Sequence, residues 1–151
     1  MPTVSLSRRI ENIDADTVFA QLKDLDSYPQ IADGVQQVEV NWDADRGAAT
    51  SEWEVRFRDG SLRWTERDLF DTAARTYSFV QVAGDLVAFE GRWQVAADGA
   101  DAVVSFDADF DLGMPSLAAM LDPIATRALH DNIDELMAGI SASPRIQRAD
   151  R

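Results

Sequence analysis

The sequence predicts an α+β fold in the order β-α-α-β₆-α: a sheet of about seven antiparallel strands on one long C-terminal helix, with two short helices after strand 1. Three observations predict it. Short runs of alternating apolar and polar residues, separated by Gly- and Asp-containing turns, have the spacing of an antiparallel meander. The last run is apolar on one side and acidic on the other, which describes a sheet with one dry and one wet face. The C-terminal segment carries a broad apolar stripe at helical spacing, and the dry face of the sheet is the only partner large enough to bury it.

The elements follow in order. Val4, Leu6 and Ile10 against Thr3, Ser5 and Ser7 mark a first strand over residues 3–10. Asp14 is a helix N-cap, followed by Val18, Phe19, Leu22 and Leu25 at helical spacing. Asp26-Ser27-Tyr28-Pro29 starts a second, short helix with Pro29 in its first turn, and Gly34 ends it. Val38, Val40 and Trp42 make the next strand, Asp45-Arg46-Gly47 a turn, and Trp53, Val55 and Phe57 another strand. Asp59-Gly60 is a hairpin signal leading into residues 61–71. Strands follow at 76–83, 86–96 and 102–112, joined at Gly84-Asp85 and Asp98-Gly99. On the last, Val104, Phe106, Ala108, Phe110 and Leu112 face one way and Asp107, Asp109 and Asp111 the other. Residues 115–121 make a short helical turn, Asp122-Pro123 are N-cap and N1 of the long helix, and Ser143-Pro144 stop it. The stripe is Leu121, Ile124, Ala125, Ala128, Leu129, Asn132, Ile133, Leu136 and Ile140.

At 151 residues the chain makes about one domain, assigned to residues 1–143, with 144–151 as a frayed C-terminal tail. Apolar residues at 46% and charged residues at 27% are a globular mix. Twenty-seven acidic against fourteen basic residues leave a net charge of −13, which repels nucleic acid and anionic membrane surfaces. With no Cys there are no disulfides, thiolate sites or Cys nucleophiles, and a single His excludes a multi-His metal site. No metal or cofactor is therefore expected. The N-terminus lacks the apolar run of a signal peptide and no stretch suits a membrane span, so the expected location is cytoplasmic.

The order of these elements, together with the residues at their joints, resembles the START-like (SRPBCC, helix-grip) superfamily. Within it the likeness is to polyketide cyclase/aromatase and related lipid-transport proteins. The carriers are the Asp14-to-Leu25 helix, the turn Leu25-Asp26-Ser27-Tyr28-Pro29, the strand Phe89-Glu90-Gly91-Arg92-Trp93, the Phe106–Leu112 strand, the Pro115/Pro123 region and Asn132. The resemblance covers roughly residues 3–141. It implies a curved sheet gripping the long helix, with a deep apolar cavity between them.

Two carboxylates stand out. Alternation along 61–71 puts Leu62, Trp64, Glu66, Asp68 and Phe70 on one face. If that face points inward, Glu66 and Asp68 are catalytic candidates, because burial raises a carboxyl pKa into the range of a general acid or base. If a twist turns this stretch outward, they are surface partners of Arg63 or Arg67. Tetracenomycin-type aromatase/cyclases have Trp, Ser and Arg at two-residue steps on the matching strand. Trp64 matches the Trp, whereas Glu66 and Asp68 replace the Ser and the Arg.

The resemblance also makes Tyr28, Trp64, Phe89, Trp93 and Asn132 the candidate substrate-binding residues. Trp N–H groups orient polar ligand atoms in an apolar cavity, and Asn132 holds a ligand oxygen or makes a helix–sheet hydrogen bond. Trp42 and Trp53 are assigned to packing, His130 to the solvent side of the last helix or the rim of the pocket. The function so implied is binding of a hydrophobic polyketide-type intermediate with its cyclisation or dehydration. The alternative is a non-enzymatic carrier or sensor of a lipid- or quinone-like molecule. An acyl carrier protein is the implied partner of the enzyme and would need a positive patch from Arg63, Arg67, Arg75 or Arg92. A monomer or homodimer is expected.

Overall fold

The computed structural model describes residues 2–57 and 59–149. The chain runs through β1 (Thr3–Ile10), α1 (Ala15–Lys23), a 3₁₀ turn (Leu25–Ser27), α2 (Tyr28–Ile31), β2 (Val35–Trp42), β3 (Ala48–Phe57), β4 (Gly60–Asp71), β5 (Thr76–Gly84), β6 (Ala88–Asp98) and β7 (Asp101–Asp111). A second 3₁₀ turn (Pro115–Leu117) leads into α3 (Ala118–Ala142) and α4 (Pro144–Ala149). All strands join one antiparallel sheet in the order β1-β7-β6-β5-β4-β3-β2. Hairpin connections make β2 to β7 a meander. β1 closes the far edge on β7, in register from Thr3–Asp109 to Ile10–Ala102. This is the helix-grip architecture, with α3 laid across the dry face.

Local chemistry explains the joints. Asp14 caps α1 by accepting from the Thr17 amide at 3.1 Å and the Thr17 hydroxyl at 2.6 Å, a contact worth about 1 kcal/mol. Val18, Phe19 and Leu22 bury the inner face of α1. In β7, Ala102, Val104, Phe106, Ala108 and Phe110 are buried, as its alternation requires. Asp107 and Asp109 on the other face accept from the Ser5 and Thr3 hydroxyls. From α3, Ala125, Leu129, Leu136, Met137 and Ile140 enter the core. The C-terminal half of α3 passes α2 so closely that a Cβ at Gly139 would collide with the Ile31 carbonyl. Its N-terminal half is looser, with Met120 and Ile124 exposed. No helix among the described residues is long and apolar enough to cross a membrane.

Two expectations are corrected. Asp122-Pro123 do not start α3: the helix begins at Ala118 and Pro123 lies inside it. The 3₁₀ turn at 115–117 winds directly into the helix. Inside the helix, proline forgoes the bond its missing N–H would make to the Ala119 carbonyl and its ring crowds that same carbonyl, a cost of about 3 kcal/mol. Residues 144–149 are not frayed either. They form α4, which buries Ile146 and lets Arg145 Nη1 donate to the Ala20 carbonyl at 2.7 Å. A six-residue helix with one apolar anchor has no periodicity to read. The remaining expected tail residues, 150–151, lie outside the described residues.

If α4 belongs to the folded unit, Ile146→Ala lowers unfolding stability by about 2–5 kcal/mol, measured by urea denaturation. A loss under about 0.5 kcal/mol, the size of an ordinary surface substitution, would detach this segment from the core.

Candidate functional site

β4 carries the site. Trp64, Glu66, Asp68 and Phe70 alternate onto the dry face and are buried, so the inward reading of the two expected registers is the one the structure adopts. Arg63 and Arg67, at alternate positions of the same strand, point to the wet face. Arg67 Nη1 donates to Asp43 at 2.9 Å and Arg63 Nε to Glu54 at 2.9 Å. Neither arginine hydrogen-bonds Glu66 or Asp68.

Six side chains from β3, β4 and β5 form a chain of hydrogen bonds under this face. Trp64 Nε1 donates to Glu66 Oε1 at 2.7 Å. Glu66 Oε2 lies 2.6 Å from the Tyr77 hydroxyl, and the same hydroxyl lies 2.8 Å from Asp68 Oδ1. Ser51 Oγ donates to Asp68 Oδ2 at 2.6 Å and accepts from Trp53 Nε1 at 2.7 Å. The register explains the reach. Ser51 stands opposite Glu66, and Trp53 opposite Trp64, across the β3–β4 ladder. On the other side a register shift between Thr65 and Glu66 leaves Val82 of β5 unpaired. This β-bulge twists the strand locally, and Tyr77, paired with Phe70, extends its hydroxyl along the strand to both carboxyls.

Counting hydrogens fixes the charge of this chain. A phenol has one proton to donate, yet Tyr77 Oη is within hydrogen-bond distance of two carboxyl oxygens. Both contacts are hydrogen bonds only if one carboxyl keeps its own proton and donates it to Tyr77. Burial pushes Glu66 well above the ordinary carboxyl range, the neighbouring Asp68 adds to this, and the Trp64 and Tyr77 hydrogen bonds oppose it without reversing it. Glu66 and Asp68 therefore keep one proton between them, Tyr77 joins the two carboxyls, and Asp68 also accepts from Ser51. The Tyr77 phenol is itself pushed up, by burial first and the two carboxyls second.

Glu66 is the carboxyl that borders a cavity. Between the sheet and α3 lies a cavity of about 50 Å³, lined by Tyr28, Trp53, Trp64, Glu66, Tyr77, Phe79, Phe89, Trp93 and Phe106 from one side and Leu129, Asn132, Ile133 and Leu136 from α3. All the expected binding residues reach it. Asp68 does not; it sits behind Glu66 and Tyr77. The volume suits one or two waters at about 30 Å³ each, because the aromatic rings fill most of the space. Trp53 and Trp64 stack at 5.8 Å, and Phe89 meets Trp64 edge-on at 5.3 Å. Tyr28 meets Trp53 edge-on and spends its hydroxyl on the Leu22 carbonyl at 2.5 Å. Asn132 Nδ2 donates to the Arg56 carbonyl at 3.0 Å, a helix–sheet bond and one of the two roles expected for it, while the side chain borders the cavity. His130 is half exposed beside Asp131. A wider groove of about 510 Å³ on the wet face, with Glu39, Glu52, Glu54 and Arg63, shares only Trp53 and Trp64 with the cavity.

Tyr77 and Ser51 are missing from the sequence-derived site, and Trp53, assigned there to packing, borders the cavity. One signal pointed to Tyr77: alternation in 76–83 places it with Phe79 on the dry face, and a buried phenol needs a partner. Ser51 gave none.

A one-sided antiparallel sheet that grips a long helix across an aromatic cavity, with a buried carboxyl in its wall, defines a protein of the helix-grip class. The chain belongs to the family described as polyketide cyclase / dehydrase and lipid transport, whose pattern matches residues 12–137. Against curated protein sequences it has no significant match. Among solved structures it is similar to TTHA0849 from Thermus thermophilus, with TM-score 0.88 and 21% identity over 99% of this chain and 100% of that one. It is also similar to the Zhui aromatase/cyclase from Streptomyces sp. R1128, with TM-score 0.82 and 17% identity over 99% and 96%. A START superfamily protein from Mycobacterium smegmatis has TM-score 0.78 and 17% identity over 97% of each chain.

The raised Glu66 pKa sets the sign of a pH effect. Above the ordinary carboxyl value of 4.5 the unfolded chain has released this proton while the folded chain keeps it. The Glu66 contribution is thus complete below that value and is lost as pH rises toward the folded pKa. In Glu66→Gln the amide oxygen accepts from Trp64 and the amide N–H donates to Tyr77, matching the neutral acid. The stability of Glu66→Gln relative to wild type should therefore rise steadily from pH 5 to pH 8 in denaturation curves. A pH-independent difference would show that Glu66 is not held protonated.

Proposed function

We propose that the protein binds a hydrophobic polyketide-type molecule in this cavity and promotes its cyclisation or dehydration, with Glu66 transferring the proton. One observation carries the reading: a carboxyl that is buried, and so pushed well above its ordinary range, lines an aromatic cavity. Aldol closure needs a proton removed beside one carbonyl and delivered to the oxygen of another. Dehydration needs the same removal and a proton for the departing hydroxyl. A carboxyl tuned upward serves both as acid and, once ionised, as base. Where the resembled aromatase/cyclases have Ser and Arg, this chain has Glu66 and Asp68, so a mobile proton takes the place of a fixed cation in neutralising charge that develops on the substrate oxygen.

Trp64, Phe89 and Trp93 orient flat rings, Tyr28 shapes the wall, and the second N–H of Asn132 holds a carbonyl. Asp68 acts through Tyr77 and does not touch substrate. A ligand of this class needs roughly 300 Å³ or more, so binding expands the cavity. The N-terminal half of α3 supplies the movement, since Met120 and Ile124 are exposed and Pro123 leaves one helical carbonyl unpaired. Arg63, Arg67 and Arg75 are already paired with Glu54, Asp43 and Asp16. On a chain of net charge −13 this favours a free small-molecule substrate over one docked on an acidic carrier protein. A cytoplasmic monomer or homodimer accompanies this reading.

The test is dehydration of a synthetic bicyclic β-hydroxyketone to its aromatic product, followed by ultraviolet absorbance. Wild type should exceed buffer, and Glu66→Gln should lose about 10²-fold or more, the usual share of a general acid–base group. Binding of the compound with turnover no faster than buffer would overturn the enzyme and leave the carrier.

A further inference from the structure

The sheet has two edges, and they are not alike. Asp43 N–H donates to the Ala48 carbonyl at 2.8 Å. On the β2–β3 ladder, therefore, positions 37, 39, 41 and 43 bond to β3, and the peptide groups of Val38, Val40 and Trp42 point away from it. Among the described residues no other hydrogen bond takes these groups up. β2 also lacks most of the usual guards of an edge strand. Residues 35–42 contain no Lys, Arg or Pro, and the one irregularity lies at the Val35/Gln37 end. The opposite edge is guarded. In β1, Arg8 alternates onto the face of Val4 and Ile10, and a charge on the inner face of an edge strand blocks pairing.

We propose that the β2 edge is an interface between two copies of this chain, paired antiparallel about a two-fold axis at Val40, which joins two seven-stranded sheets into one of fourteen. The side chains select this register from those that let the outward peptide groups bond. An axis at Glu39 sets Glu39 against its own copy, and an axis at Asn41 sets it against Asp43; like charges directly opposite destabilise a sheet. An axis at Val38 runs the second strand onto the irregular stretch at Gln36. The axis at Val40 avoids all three. On the dry side it pairs Val38 with the partner's Trp42, and Val40 with the partner's Val40; all three are half-buried. On the wet side it pairs Glu39 with the partner's Asn41, an acceptor with a donor. Charge is complementary at the ends as well. The turn after Trp42 comes beside residues 33–36 of the other copy. That turn carries Arg46, which lies over its own Trp42 ring at 5.2 Å, and Asp33 is exposed. Among the described residues neither Arg46 nor Asp33 forms a salt bridge. Two-fold symmetry makes each of these pairings twice and uses up the open edge, so the assembly closes at two chains.

The chain has no Cys, so a single introduced thiol reads the register. At the axis, opposed Cα atoms are about 5.5 Å apart, within disulfide reach, whereas a site one or two residues off the axis is separated from its copy by more than about 7 Å. Under mild oxidation Val40→Cys should give a disulfide-linked dimer, and Val38→Cys and Glu39→Cys should not. Each copy carries a net charge of −13, so association is measured by sedimentation equilibrium in about 0.15–0.5 M salt, where that repulsion is screened. Wild-type mass should rise with concentration from one chain toward two. Asp33→Arg should weaken association about tenfold, since it turns two exposed ion pairs into two repulsions, and adding Arg46→Asp should restore it. Val40→Pro removes an N–H that β3 does not use and should leave a monomer. If that variant does not fold, judged by circular dichroism, the charge reversal and the thiols still decide. A wild type that stays monomeric, or one that grows beyond two chains, would overturn the proposal. So would cross-linking through position 38 or 39 in place of 40, or a dimer that Asp33→Arg leaves unchanged.

Discussion

Two carboxyl groups buried side by side, with no basic side chain among the described residues hydrogen-bonded to either, cannot both ionise without an energetic cost far above what a domain of this size can absorb. Glu66 and Asp68 meet this constraint by keeping one proton between them and by surrounding the remaining charge with donors. Much of the central sheet follows from it. Position 51 must be small and hydroxylic, so that it reaches Asp68 from β3. Trp53 and Trp64 must turn their N–H groups toward the carboxyls and their ring faces toward each other, which yields the stacked pair. The bulge at Thr65/Glu66 adjusts β5 so that a tyrosine two strand positions away serves both acids.

The aromatic filling serves the same end. Rings packed at 4.4–6.1 Å around the triad, from Phe70 on Tyr77 to Phe79 on Tyr77, keep water out and the local dielectric low. A low dielectric is what pushes the Glu66 carboxyl upward and makes its hydrogen bonds strong. The same filling leaves only about 50 Å³ of open cavity. The fold clamps α3 at its C-terminal half, through Gly139 against α2, and leaves its N-terminal half lightly covered.

Most of the fold was legible in local patterns, for reasons specific to each element. Period-2 alternation in β4 and β7 put the right residues on the dry face, and Asp14 announced the start of α1 through its cap. The start of α3 was misplaced because Asp-Pro is a strong N-terminal signal locally. The preceding 3₁₀ turn winds straight into the helix, which runs on through the proline. The helix α4 was invisible because one buried isoleucine makes no period. In the site, Glu66 and Asp68 were legible as carboxyls with an inward register, and Tyr28, Trp64, Phe89, Trp93 and Asn132 as cavity neighbours.

The sequence by itself determined the order of the elements, the dry and wet faces of the sheet, and the presence of two acids where a surface explanation did not fit their register. Only the tertiary structure decided that these acids share a proton, that Glu66 faces the cavity with Asp68 behind it, and that Tyr77 and Ser51 complete the chain. The physical reason is distance along the polymer. Alternation and capping act between residues a few positions apart. The hydrogen bonds that set the charge of the site join Ser51 to Asp68 and Glu66 to Tyr77, on three different strands. Their existence depends on a register and a bulge that no local pattern encodes.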